Sequence, residues 1–264
     1  MTAGPLAGVR VVVTRAERQA GGLAAALAAA GARVETLPLL EVAPPTDPAP
    51  LARAAAELRL YDWVVFTSAN AVHALLPLAP AAAPAGALPP RLRVAAIGAA
   101  TAAALRGLGI EPTLVAAPGE QGAGGLLAAL LPRLDCGQRV LLPQAADALP
   151  TLREGLLAAG IAAVAVVAYQ KRLPAEAPRR TAELFTGTPI GWVTFTSPST
   201  VRRFVALFGA GWPSRRGELR AVSIGPVTSA ELRRQGVEPR AEAASPSDAE
   251  LVAALSRAVI LLTA

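Results

Sequence analysis

The chain has 264 residues, a formal net charge of +6, one cysteine and one histidine. A lone Cys136 rules out an internal disulfide and a cysteine-based metal site, and a lone His73 rules out a histidine cluster. Apolar residues suffice for two cores, but no apolar run reaches the roughly 18 residues of a membrane span.

Nearly all the positive charge is arginine, Lys171 being the only lysine. Such basicity suits nucleic acid, an anionic membrane or an acidic small molecule. The arginines are scattered, with short pairs at Arg179-Arg180, Arg202-Arg203, Arg215-Arg216 and Arg233-Arg234, and aromatics are too few for base-stacking platforms. An anionic small ligand is therefore expected, with no nucleic acid and no membrane; solvated surface charge from a general arginine bias is the plain alternative. Asparagine occurs once, and proline, alanine and arginine abound, which fits either a heat-adapted protein or a GC-rich genome. The amino terminus carries no basic segment followed by a hydrophobic stretch, so a cytoplasmic protein is expected.

In chain order, Val9–Thr14 reads as a buried parallel strand and Gly21–Ala30 as a helix stopped by Gly31. Val34–Val42 is a strand interrupted by Pro38, hence an edge or a connector. The turn Pro44–Pro48 leads to a helix over Leu51–Leu60, then a strand over Trp63–Thr67 and a helix over Ala71–Leu76. Pro77–Pro90 is a loop. Arg93–Ile97 is a strand, Ala100–Gly107 a helix, Thr113–Ala116 a strand and Leu126–Leu131 a helix. The order then recurs: strand Val140–Leu142, helix Thr151–Ala159, strand Ala163–Tyr169, linker Leu173–Pro178 and helix Thr181–Phe185. Strand Trp192–Thr196, helix Thr200–Phe208, strand Ala221–Ile224, helix Val227–Gln235, a strand near Pro239–Ala241 and helix Ala249–Ala258 complete it.

The recurrence is visible in the residues themselves. Trp63-Val64-Val65-Phe66-Thr67-Ser68 returns as Trp192-Val193-Thr194-Phe195-Thr196-Ser197, 129 positions on, and the same offset relates Arg10-Val11-Val12-Val13 to Arg139-Val140-Leu141-Leu142. Ile97-Gly98-Ala99-Ala100-Thr101 returns as Ile224-Gly225-Pro226-Val227-Thr228, 127 positions on. So long a period implies two similar domains, since solenoid repeats run at roughly 20–50 residues. Alternating strands and helices make each an open parallel α/β sheet, which binds ligands outside the carboxyl ends of its strands.

The repeated motifs sit where strands end and helices begin, a place rich in unpaired N–H groups and suited to anions. Ser and Thr there are also ordinary helix caps. Gly98 and Gly225 suit close backbone approach, to a helix or to a ligand. Gly119–Gly125 is glycine-rich but lacks the Gly-Lys-Ser/Thr ending of a phosphate loop. Tyr169 ends an apolar strand; it is either half-buried packing or a proton donor. His73, Cys136, Trp63 and Trp192 read as structural. Carboxylates are sparse at the strand ends, which speaks against a paired-acid hydrolase and magnesium-dependent phosphoryl transfer.

Val65-Phe66-Thr67-Ser68-Ala69-Asn70-Ala71-Val72, Val167-Ala168-Tyr169-Gln170, Phe195-Thr196-Ser197-Pro198-Ser199 and Ile224-Gly225-Pro226-Val227-Thr228, with Val13-Thr14-Arg15 before them, resemble the HemD family over nearly the whole chain. The resemblance implies a carbon–oxygen lyase. Its substrate is hydroxymethylbilane, a linear tetrapyrrole with eight carboxylates, which loses a hydroxyl and closes with its last ring inverted, by the usual proposal through a spiro intermediate. It implies two α/β Rossmann- or flavodoxin-like domains, 1–37 with 175–264 and 44–164, joined by strands at 38–43 and 165–174, with the active site in the cleft and a variable angle between the domains. It implies no cofactor and no metal, a monomer, and transient handover of the anionic substrate from hydroxymethylbilane synthase. Within that frame Tyr169, at the cleft end of a connector strand, is the best candidate for the proton donor to the leaving hydroxyl. Thr14, Arg15, Ser68, Ala69, Asn70, Gly98, Thr101, Gln144, Lys171, Ser197, Pro198, Ser199, Gly225, Pro226 and Thr228 bind substrate. Valine at 227, where the family often has a hydroxyl residue, leaves that task to Thr228. A two-domain binding protein without turnover and a nucleotide-sugar transferase remain as alternatives; the latter wants an acidic ribose-binding residue, and none is found at a strand end.

Overall fold

The computed structural model describes residues 4–15, 17–79, 88–117, 119 and 122–263, without the side chains of 17–20 and 263. Much of the Pro77–Pro90 loop and part of Gly119–Gly125 lie outside that description. The elements run β1 (Arg10–Val13), α1 (Glu17–Ala29), β2 (Arg33–Thr36), β3 (Glu41–Ala43), α2 (Ala49–Ala56), β4 (Trp63–Phe66) and α3 (Ala69–Leu75). There follow β5 (Arg93–Ala96), α4 (Ala99–Arg106), β6 (Leu114–Val115), α5 (Ala123–Leu130), β7 (Arg139–Ala145), α6 (Thr151–Ala158) and β8 (Ala162–Arg172). The last are α7 (Ala177–Phe185), β9 (Gly191–Phe195), α8 (Pro198–Phe208), α9 (Trp212–Arg215), β10 (Leu219–Ser223), α10 (Pro226–Arg234), β11 (Ala241–Glu242) and α11 (Asp248–Thr263).

The chain divides into two compact units, Met1–Glu41 with Arg172–Ala264, and Val42–Lys171. The first unit holds a five-stranded sheet in the order β11-β10-β9-β1-β2. The second is built on a six-stranded sheet in the order β3-β8-β7-β4-β5-β6. Apart from β3, the two orders are one topology: β8-β7-β4-β5-β6 matches β2-β1-β9-β10-β11 strand for strand. The register matches as well. Val11 pairs with Trp192 as Val140 pairs with Trp63, and Trp192 pairs with Arg220 as Trp63 pairs with Arg93.

The repeat in the sequence and the compact unit are therefore different objects. The first repeat gives two strands to one sheet and four, β3 included, to the other, and the second gives three and two, so neither half of the chain closes a core by itself. The physical reason is the exit after β2. Leu37 N–H still bonds Val13 O (2.9 Å) and Leu39 N–H bonds Thr14 O (3.3 Å), while Pro38 between them has no proton to give. The chain then leaves the first sheet and enters the second as β3.

Both faces of each sheet are buried. In the first unit Phe185, Phe195, Phe204 and Trp212 fill one side and Leu6, Leu23, Leu27, Leu251 and Leu255 the other. In the second, Phe66, Val72, Leu75 and Leu105 lie on one side and Trp63, Leu126, Leu130 and Leu156 on the other. Strands covered on both faces carry apolar runs instead of alternation, as Val11-Val12-Val13 and Trp63–Phe66 do. Among the described residues no helix is long and apolar enough to cross a membrane.

Candidate active site

In an open sheet of this topology the chain leaves neighbouring central strands toward opposite edges, and a crevice opens outside their carboxyl ends. In the first unit that point lies between β1 and β9. An open pocket of about 320 Å³ occupies it, lined among others by Arg15, Leu40, Ser197, Thr200, Ile224 and Asp248. Ser197 is extended (φ −164°, ψ 156°), and its Oγ accepts the Thr200 amide at 3.3 Å, capping α8. Pro198 takes the first helical position, where its fixed φ is favourable and its missing N–H costs nothing. Ser199 Oγ lies 2.9 Å from Ser197 Oγ, and Ser197, Pro198 and Ser199 are all half-buried.

At the next strand end Gly225 precedes α10 with extended backbone (φ 163°), and an added Cβ there would meet nothing within 4 Å. Its lack of a side chain is thus unneeded by the packing and leaves room on the open side. Pro226 is exposed, and Val227 beside it is 70% exposed. Arg15 is not bare: its Nη1 donates to Asp248 Oδ1 at 2.7 Å. A ligand carboxylate reaching Arg15 competes with that aspartate.

The second unit repeats the design between β7 and β4. Ser68 has nearly the backbone of Ser197 (φ −163°, ψ 153°), and its Oγ accepts the Ala71 amide at 3.2 Å to cap α3. The same Oγ donates to Tyr169 Oη at 3.1 Å. The Tyr169 ring belongs to the core and is 6% exposed. Ala69 is half-buried and Asn70 exposed at the start of α3, and Gly98 stands buried and extended (φ 174°) before α4. Lys171 Nζ faces Asp147 at 3.6 Å. Gln144 lines a separate pocket of about 490 Å³ with Ala148, Pro150 and Arg153, which includes neither Ser68 nor Tyr169.

Of the threonines expected to meet substrate, Thr14 is fully buried and turned inward, donating to Thr194 O at 2.7 Å. Thr101 and Thr228, each in the first turn of its helix, are 4% and 2% exposed. His73 and Cys136 are exposed, away from either strand-end site.

The arginines also differ from the expectation of a diffuse anion-binding charge. Arg93 stacks on Trp63 at 5.5 Å and Arg220 on Trp192 at 5.8 Å, a duplicated pair at the amino ends of β5 and β10, opposite the site. Others pair within the chain: Arg106 with Glu111, Arg215 with Glu218, Arg233 with Glu238, and Arg202 and Arg234 with Glu231. Hydrogen bonds from those arginines hold the carboxyls of Glu111, Glu218 and Glu238 below the usual carboxylate range. Among the described residues no group of three or more His, Cys, Asp or Glu is placed to hold a metal ion.

Leu40, Thr200 and Asp248 were not expected at the site. The offset of 129 that relates Ser68 to Ser197 also relates Tyr169 to Leu40 and identifies that residue. Asp248 opens α11 after β11, so it belongs to the same set of strand-to-helix junctions.

A pair of doubly wound α/β units, each with a serine-capped helix start at its switch point, defines the class: a two-unit, doubly wound α/β protein with matching strand-end sites. The description uroporphyrinogen-III synthase HemD matches residues 21–253. The chain belongs to this family. It is 33% identical over 235 residues to the uroporphyrinogen-III synthase of Synechococcus elongatus, covering 85% of this chain and 86% of that one. It is 25% identical over 202 residues to the porphyrin biosynthesis protein HemD of Ruminiclostridium josui, covering 76% of this chain and 40% of the relative. Among solved structures, a mutant uroporphyrinogen III synthase of Thermus thermophilus superposes with a TM-score of 0.59 at 22% identity, covering 96% of this chain and 100% of that one. The Helicobacter pylori uroporphyrinogen-III synthetase gives 0.58 at 22%, covering 96% and 99%. At these identities the two structures speak for the fold.

Proposed function

We propose that the chain closes hydroxymethylbilane to uroporphyrinogen III with loss of water and inversion of the terminal ring. The observation that carries the reading, beside family membership, is the duplicated serine-capped junction at both switch points, Ser68 and Ser197, with Tyr169 at one of them. An octa-carboxylate needs many donors; the two junctions offer helix-start amides and hydroxyls in duplicate, and the first adds Arg15.

Tyr169 is the proton donor in this reading. Its phenol gives a proton to the leaving hydroxyl, the C–O bond breaks with its electron pair on oxygen, and water departs. The pyrrole nitrogen supports the cation that remains. Ring closure releases one proton, which restores the phenol. Because the departure is electronically easy, the main task is holding the fold of the substrate that gives the inverted closure, a matter of orientation more than acid–base power. Ala69, Asn70, Ser197, Pro198, Ser199, Gly225 and Pro226 hold the substrate there, with Arg15 taking a carboxylate. The chain needs no cofactor for this, works as a monomer in the cytoplasm, and takes its substrate by transient handover from hydroxymethylbilane synthase.

Incubation with enzymatically generated hydroxymethylbilane, in the presence of a strong chelator, tests the reading through the separation of type I and type III products. Type III product is the expected result. Type I alone, or activity that returns only when zinc or magnesium is restored, defeats it. Tyr169→Phe is expected to slow single turnover by roughly 10–100-fold, near the lower range for general acid catalysis, with the product still type III.

A further inference from the structure

The duplication supplies an internal control for the role of Tyr169. Both units carry the same serine in the same backbone conformation, capping the helix after the third strand of the sheet order. In the first unit Ser197 Oγ meets Ser199 Oγ at 2.9 Å, and Leu40 stands in the pocket at the position equivalent to Tyr169. In the second unit Ser68 Oγ takes the Ala71 amide proton and gives its own to Tyr169 Oη. The bond therefore belongs to one unit only, although its serine is needed as a cap in both.

We infer that Ser68 is a positioning residue for Tyr169, its capped hydroxyl donating to the phenol oxygen. This rests on the reading of Tyr169 as proton donor and adds a directed relay, Ala71 N–H to Ser68 O–H to Tyr169 O. Two consequences follow from the direction of the bonds. With its oxygen already accepting, the phenol keeps its own proton for another acceptor, the hydroxyl that leaves. A proton donated to the oxygen also stabilises the phenolate formed when that proton is given up, because a hydrogen bond to the charged form favours it. The cap fixes the serine rotamer, so the phenol meets a donor at a fixed place. The other junction, with Leu40, keeps the cap and lacks the acid, so proton transfer belongs to the second unit and the first unit holds substrate.

The test is a double-mutant cycle on single-turnover rate, with thermal midpoints measured on the same proteins. Ser68→Ala is expected to slow turnover about 10-fold, Ser68→Thr to recover most of the rate, and Ser68→Ala with Tyr169→Phe to be no slower than Tyr169→Phe alone. The thermal shift of Ser68→Ala should persist with phenylalanine at 169, since the cap does not depend on the phenol, and should be smaller there only by the lost Ser68–Tyr169 hydrogen bond. Ser68→Gly removes the hydroxyl at a smaller capping cost and serves if the alanine variant folds poorly. Ser197→Ala should combine with Tyr169→Phe multiplicatively. Full-rate Ser68→Ala, or a Ser68 effect of equal size with phenylalanine at 169, overturns the inference while leaving the activity in place. Wild-type protein that yields only type I product overturns the activity and the inference together.

Discussion

At the scale of single residues, the charged side chains divide into those that hold the protein and those a ligand can recruit. Glu231 is of the first kind. It is 4% exposed, and the hydrogen bond from Gln235, with further help from Arg234 and Arg202, holds its carboxyl below the usual carboxylate range against the opposing effect of burial. A folded value below the unfolded one, about 4.3, means its stabilisation is complete above that pH and is lost as pH falls through the folded value. Glu231→Gln should therefore be less stable than wild type at neutral pH, with the gap narrowing below about pH 4; urea midpoints from pH 7 to pH 3 measure it, and a constant gap contradicts it. Arg15 is of the second kind. Its side chain and that of Asp248 are 30% and 35% exposed, so their pairing is worth only about 0.2–1 kcal/mol. Asp248→Asn frees the guanidinium for a substrate carboxylate. A KM lowered by about two- to fivefold with a small loss of stability is expected on that magnitude, and an unchanged KM would show that Arg15 does not meet substrate.

At the scale of elements, what decides function is which way the first helical turn faces. Ser197 and Thr228 both lie at helix starts of the same unit, yet one is half-buried and the other 2% exposed. Ser197→Ala should cost about 1 kcal/mol of stability through the lost cap and should also raise KM. Thr228→Ala should cost about 1 kcal/mol through lost packing and leave KM unchanged, which thermal melts and steady-state kinetics together can tell apart. This difference was not legible in the sequence. The motifs place both residues at the carboxyl ends of strands, and alternating apolar runs with turn residues gave the strands and helices on which they stand. The facing of one residue in a first turn depends on the roll of the helix against the sheet, a tertiary property set by Phe204, Leu232 and their neighbours. The arginines misled for a related reason. Their number signals an anion, but whether a given arginine meets ligand, ring or carboxylate depends on partners far along the chain, such as Arg93 with Trp63 or Arg202 with Glu231.

At the scale of the whole molecule, the repeat shows in the sequence while its consequence for folding does not. A stretch that recurs at 129 residues suggests two halves, each with its own core. The sheets say otherwise. β1 and β2 join the sheet of β9, β10 and β11 through the β1–β9 pairing, whereas β3, β4, β5 and β6 from the same half share a sheet with β7 and β8. Cutting the chain at the repeat boundary near Cys136 would leave the first fragment with two strands of one sheet and four of the other, the second with three and two, and no completed core in either. Residues 42–171, by contrast, contain strands β4 to β8 with both covering layers, the clusters around Phe66 and Trp63. Expressed alone, 42–171 should unfold in one cooperative thermal transition, because its apolar surface is already buried against itself and about 130 residues is an ordinary size for an independent domain. A fragment of residues 1–135 should show no such transition, with dispersed backbone signals absent from its NMR spectrum. A folded 1–135 fragment would mean that β1 and β2 can find a second set of partners within their own half, and that the exchange of strands between the repeats is a preference of the full chain, not a requirement of its cores.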